Sequence, residues 1–141
     1  PTSIPKVVAE FRDDFYLDES AIHAAYRPPY QFNALDNRSA LKVDFWLLRP
    51  DPFEREMFSR RVAVVLFTIP AQIATAEDVI LHKLYWNQIT PSDRQLTDAA
   101  GVVGVQRPNL DLNYLRRWAS QLQVAAKLED LLAGRITPKT T

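Results

Sequence analysis

The chain has 141 residues, 47% of them apolar, with seventeen Lys and Arg set against seventeen Asp and Glu, and no cysteine. That length suits one domain with a proper core, and the balanced charge gives no global field for nucleic acid or an anionic membrane, so partners must be argued from local sites. Disulfides and thiolate chemistry are excluded, a cysteine-free chain suits a reducing cytoplasmic setting, and no apolar run approaches the ~20 residues of a bilayer span.

In chain order, Ser3 is placed to cap a first helix with Pro5 in its opening turn. Ile4, Val7, Val8 and Phe11 then share one face, and the helix is expected to end near Asp13. After the short apolar stretch 15–17, Asp18 or Ser20 can start a second short helix through Ala25, stopped by Pro28 and Pro29. Gln31 to Leu35 and Ala40 to Leu48 read as the two strands of an antiparallel hairpin, joined by the turn formers Asp36-Asn37-Arg38-Ser39.

Asp51-Pro52-Phe53-Glu54 combines a cap, a first-turn proline and an acidic third position, and predicts a helix to about Arg60. A third strand is expected over 62–69. Thr75-Ala76-Glu77-Asp78 is a capping box with Asp in the Glu position, opening a helix to about Gln88, and Pro91-Ser92-Asp93 opens another to about Val103. Leu112, Leu115, Trp118 and Ala119, then Val124, Leu128, Leu131 and Leu132, have helical spacing, while the tail from Thr137 is polar and expected to fray. The layout predicts an α+β fold in a single domain over 1–141: a sheet part at about 1–74, with three to five strands, and a helical part at about 75–134 sharing its core.

Few residues carry potential chemistry. Asp44 lies inside the strand-like run 41–48, where alternation puts Val43, Phe45 and Leu47 on one face and Lys42, Asp44, Trp46 and Leu48 on the other. Asp44 is then either a wetted residue on a half-solvated face or a metal-binding carboxylate. Lys83 falls between Val79 and Ile80 on the helical wheel, so its ammonium projects from an apolar sector; it either snorkels to water or waits for a phosphate. Arg94 and Asp98, four apart on the next helix, read as a surface ion pair or as part of a site, with arginine first being the weaker order against the helix dipole. His82 follows Asp78 by one turn and most simply forms an exposed pair with it. No His, Asp and Glu cluster has zinc spacing, and no nucleophile elbow or phosphate-cradling glycine loop occurs. Arg116 and Arg117 beside Trp118 read as a solvated rim or as groups able to stack on bases.

Phe32-Asn33-Ala34-Leu35-Asp36, Leu41-Lys42-Val43-Asp44-Phe45, the run 76–86, Ser92-Asp93-Arg94-Gln95-Leu96-Thr97-Asp98 and the run 112–119 together resemble, in their order and spacing, a family of small bacterial nucleotidyltransferase-like proteins. That family belongs to the DNA polymerase β superfamily and is related to AbiEii-type toxins and to minimal nucleotidyltransferase antitoxins. The resemblance covers about residues 10–132. It implies a mixed sheet flanked by helices with a helical C-terminal subregion, Mg²⁺-dependent transfer from a nucleoside triphosphate to an unspecified acceptor, Asp44 as catalytic metal ligand, and Lys83, Arg94, Asp98 and Lys42 as nucleotide-binding residues.

The family's Gly-Ser loop and Asp-x-Asp strand have no counterpart before Asp44. Two Mg²⁺ ions roughly 3.5–4 Å apart need several carboxylates, so this chain alone is expected to be inactive. The start at Pro1 leads us to expect the missing strand and loop upstream. The alternative expectation is a non-catalytic interaction module of a toxin and antitoxin type pair, bound to a co-encoded protein or to a second copy through an open sheet edge. No membrane partner is expected.

Overall fold

The computed structural model of the protein describes residues 4–28 and 30–138, so the expected roles of Ser3 as a cap, of Pro29 as a stop and of the last three tail residues lie outside the described residues. The fold is α+β, and the chain divides into two compact units, one through Arg55 and one from Glu56. Each has buried apolar residues of its own.

The first unit begins with α1 (Ile4–Phe11), β1 (Phe15–Leu17) and α2 (Glu19–Ala24). Asp18 caps α2, its carboxylate accepting from the Ser20 and Ala21 amides, and hydrogen bonds from the Ser20 hydroxyl and these amides hold its pKa below the ordinary carboxylate value. β2 (Gln31–Asp36) and β3 (Lys42–Trp46) form the expected hairpin, with Asn33 opposite Asp44 and Phe32 opposite Phe45. β1 adds to the other edge of β2, giving an antiparallel sheet in the order β1-β2-β3. Ile4, Ile22, Ala25 and Phe32 make the core, with Val7, Val8, Leu17, Phe45 and Leu47 packed against it. Phe32 and Phe45 stack at 4.8 Å between centroids, and Phe11 meets Phe45 edge-on at 5.4 Å. The period-two pattern holds in part: Phe45 and Leu47 face the core and Lys42, Asp44, Trp46 and Leu48 are exposed, but Val43, expected on the inner face, is 42% exposed near the start of the strand.

The boundary between the units falls within α3 (Pro52–Ser59). Asp51 accepts from the Glu54 amide at 2.9 Å, as the start signal predicts. Glu54 is buried and takes a hydrogen bond from the Arg49 guanidinium at 3.0 Å; burial nevertheless pushes its carboxyl pKa up.

The second unit contains the main departure from the sequence reading. The single strand expected over 62–69 is a hairpin, β4 (Val62–Leu66) and β5 (Ile69–Ile73), which forms a separate two-stranded antiparallel sheet. Phe67 and Thr68 make the turn with φ values of 48° and 73°, the left-handed pair that a two-residue hairpin turn requires. Neither residue advertises that conformation, so the apolar run reads straight through it. Among the described residues both sheets are antiparallel throughout, whereas the expected sheet was mixed.

The rest of the unit is helical: α4 (Ala76–Ile89), α5 (Asp93–Gln106), a 3₁₀ turn at Arg107–Asn109, α6 (Leu112–Gln121) and α7 (Ala125–Leu132). α4 packs on α5, α6 and α7, and its Ile80, Leu81 and Leu84 are fully buried. Leu115, Trp118 and Ala119 of α6 and Leu128, Leu131 and Leu132 of α7 are buried too, as their spacing predicts. Gln123 and Gly134 end α6 and α7 with φ of 60° and 72°, the left-handed cap usual after a helix. No helix among the described residues is long and apolar enough to cross a membrane.

Candidate functional site

The N-terminus of α4 is held by a buried polar brace. Thr75 caps the helix, accepting from the Asp78 amide at 3.3 Å while its hydroxyl donates to Asp78 Oδ2 at 2.6 Å. Asp78 is wholly buried: the Tyr114 hydroxyl donates to its Oδ1 at 2.6 Å, and Arg60 Nε lies 3.3 Å from Oδ2. The Arg60 guanidinium also covers the Tyr114 ring at 3.7 Å and approaches Glu77 at 3.6 Å, while Glu77 accepts from the Asp111 amide at 2.9 Å. The two carboxylates at the start of α4 therefore tie it to the start of α6. Burial, and then the bond to Asp78, push the Tyr114 phenol well above its ordinary pKa.

This corrects the expectation of an exposed Asp78 paired with His82. Asp78 is internal, and His82 Nε2 accepts from the Trp86 indole at 2.9 Å. Capping position alone suggested a wet carboxylate; only the packing of α6 across α4 takes it out of water.

Further along α4, Lys83 reaches α5. Its Nζ lies 2.9 Å from Asp98 Oδ2 and 3.5 Å from Gln95 Oε1, and its side chain is only 25% exposed. The carboxylate expected to pair with Arg94 is thus engaged by a lysine from the neighbouring helix. Arg94 is exposed on α5 and makes no ion pair among the described residues. The i, i+4 spacing pairs residues within one helix, while the ion pair formed here runs between two.

Lys83 and Asp98 stand on the wall of an open groove of about 940 Å³. Val79 on α4, Gly101, Val102 and Val105 on α5, and Val62 and Ile73 at the base of the β4–β5 hairpin supply apolar lining; Gln106 and Asn109 add amides. An apolar cleft with a few convergent polar groups is the usual form of a small-molecule site. Its outline was not legible in the sequence, because its lining comes from α4, α5 and the hairpin, and local spacing does not show that these elements are set side by side.

Asp44 and Lys42 belong to the first unit. Lys42 Nζ lies 3.1 Å from Asp44 Oδ1, with both side chains substantially exposed, and the Asn33 amide nitrogen, turned toward the carboxylate, donates to Asp44 Oδ1 at 2.6 Å. Cross-strand pairing brings Asn33 to this position. The donor set does not fit Mg²⁺: one carboxylate, already bonded to an ammonium and an amide, offers too few oxygens, and no group of three or more His, Asp or Glu able to hold a metal occurs among the described residues. Arg116 and Arg117 sit on an exposed rim, paired with Glu129 at 2.8 Å and Glu56 at 2.6 Å.

No family model, curated protein or solved structure matches this chain.

Proposed function

We propose that the second unit is the nucleotide-binding part of a nucleotidyltransferase-like protein. The observation that carries this reading is Lys83, an ammonium three-quarters withdrawn from water on the wall of an apolar groove and held there by the carboxylate of Asp98. A lysine so placed is a point charge that can exchange or share its carboxylate with a phosphate, in a setting drier than the bulk. Asp98 keeps the ammonium aimed until the ligand arrives. Arg94, one turn earlier on α5 and exposed, can swing to the outer phosphate oxygens. Transfer itself needs a fuller carboxylate set than these residues supply, so no step is assigned to Asp44 beyond its bonds to Lys42 and Asn33.

Calorimetric titration with ATP tests the reading. Saturable binding is expected, weakened at least tenfold by Lys83→Ala and less by Arg94→Ala; equal affinity in wild type and Lys83→Ala would remove the phosphate role.

A second reading, an interaction module, is favoured by the β4–β5 hairpin. Val65, Leu66 and Ile69 are largely exposed and Phe67 is 98% exposed, an apolar surface of the kind that marks association sites. With Leu66 and Ile69 closing the turn, the outward-facing backbone groups of β4 are those of Ala63 and Val65, whereas β5 presents Pro70, which has no amide to donate. β4 is therefore the edge open to another strand, and two copies of an uncharged strand can pair across a two-fold axis. Sedimentation at rising concentration should show a dimer that Val65→Lys abolishes. A wild-type chain that stays monomeric counts against the second copy.

A further inference from the structure

Resting on the phosphate reading of Lys83, we propose that the α5 wall of the groove seats the base of the nucleotide, with Gly101 leaving the room for its ring. Asp98, Gly101 and Val105 follow one another at spacings of three and four, so they form a stripe along one side of α5. From Asp98 to Val105 the helix rises about 10 Å, a reach on the scale of a nucleotide measured from terminal phosphate to ring.

The chemistry changes along that stripe in the order such a ligand needs. Lys83 and Asp98 stand at one end, the bare backbone of Gly101 and the methyl groups of Val105 come next, and the amides of Gln106 and Asn109 close the far end. Carboxamides offer a donor and an acceptor together, the pattern that pairs with the edge of a purine. The remaining carboxylate on the wall, Glu77, is engaged with the Asp111 amide and Arg60.

Glycine within a fourteen-residue helix weakens it, so its position calls for a reason. A Cβ built at Gly101 meets nothing within 4 Å, so a methyl group there would displace no neighbour. The open space beside it is the groove. Enlarging residue 101 should therefore fill the ring seat while leaving the fold intact and the helix firmer.

The experiment compares ATP with inorganic tripolyphosphate on the full chain. Gly101→Leu is expected to melt no lower than wild type, to lose ATP affinity at least tenfold and to keep its tripolyphosphate affinity, whereas Lys83→Ala loses both ligands. Gly101→Ala guards against a folding failure; it should melt higher and bind ATP a few-fold more weakly. Unchanged ATP affinity in both Gly101 variants, with Lys83→Ala still defective, overturns the ring seat and leaves the phosphate reading standing. Equal loss of both ligands in Gly101→Leu also overturns it, and a wild-type chain that binds neither ligand overturns both readings.

Discussion

Asp78 and Lys83 sit on the same helix and meet opposite fates. The carboxylate is enclosed by three donors, from Thr75, Arg60 and Tyr114, while the ammonium stays on a groove wall with Asp98 and Gln95. Removing one donor from the enclosed group exposes the cost of burying charge. Tyr114→Phe is expected to destabilise the protein by about 1–3 kcal/mol, measured by urea denaturation at neutral pH. Its pH dependence has a definite sign. The folded pKa of Tyr114 is raised above the ordinary 10.0, so the neutral phenol is favoured by folding. Its contribution is complete below that value and declines as pH climbs toward the folded pKa. Wild type should lose stability above pH 10.0 more steeply than Tyr114→Phe; parallel curves would show that the phenol is not the titrating group. The sequence marks Thr75 as the cap of α4, which is right; Asp78, expected to complete a capping box and to be exposed, is buried and takes the Thr75 hydroxyl. Capping is a local property of the backbone, and burial is conferred by α6.

At the scale of elements, the helices were the most legible. Start signals at Asp18, Asp51 and Thr75 all make their capping bonds. The β4–β5 turn was not legible, because Phe67 and Thr68 occupy left-handed conformations that β-branched and bulky residues avoid. That strain is of order 1–3 kcal/mol per residue. The double substitution Phe67→Asn with Thr68→Gly installs the pair that such a turn prefers, and is expected to raise unfolding stability by about 1 kcal/mol, read from the shift of the urea midpoint. A drop in stability would mean that the exposed phenyl ring contributes contacts beyond those described. Pro70 was the available sequence clue, since a proline just after an apolar run argues for an edge strand.

For the whole molecule, the cluster of Ile4, Ile22, Ala25 and Phe32 is a core formed by residues of the first unit alone. Phe32→Ala removes a buried ring stacked on Phe45 and should cost about 3–5 kcal/mol. Because the described lining of the groove comes from second-unit residues, the ATP affinity proposed for it should survive that substitution per folded molecule, as calorimetry beside near-ultraviolet dichroism can check. Parallel loss of both signals would show the units to be energetically inseparable. Strands give way to helices at about residue 74, whereas the contacts divide the chain after Arg55. Composition and periodicity report which segments are strands or helices; they do not report which segments touch.

By itself the sequence determined the α+β class, the position of most helices, the β2–β3 hairpin and the outward face that Asp44 shares with Lys42. These depend on neighbours within a few residues, through capping, period and turn chemistry. The tertiary structure alone decided that Asp98 meets Lys83, that Asp78 is enclosed, that the run after Val62 folds back on itself, and that a groove opens beside Gly101. Each of those depends on surfaces from different elements coming together, and such encounters leave no mark on the local spacing of residues.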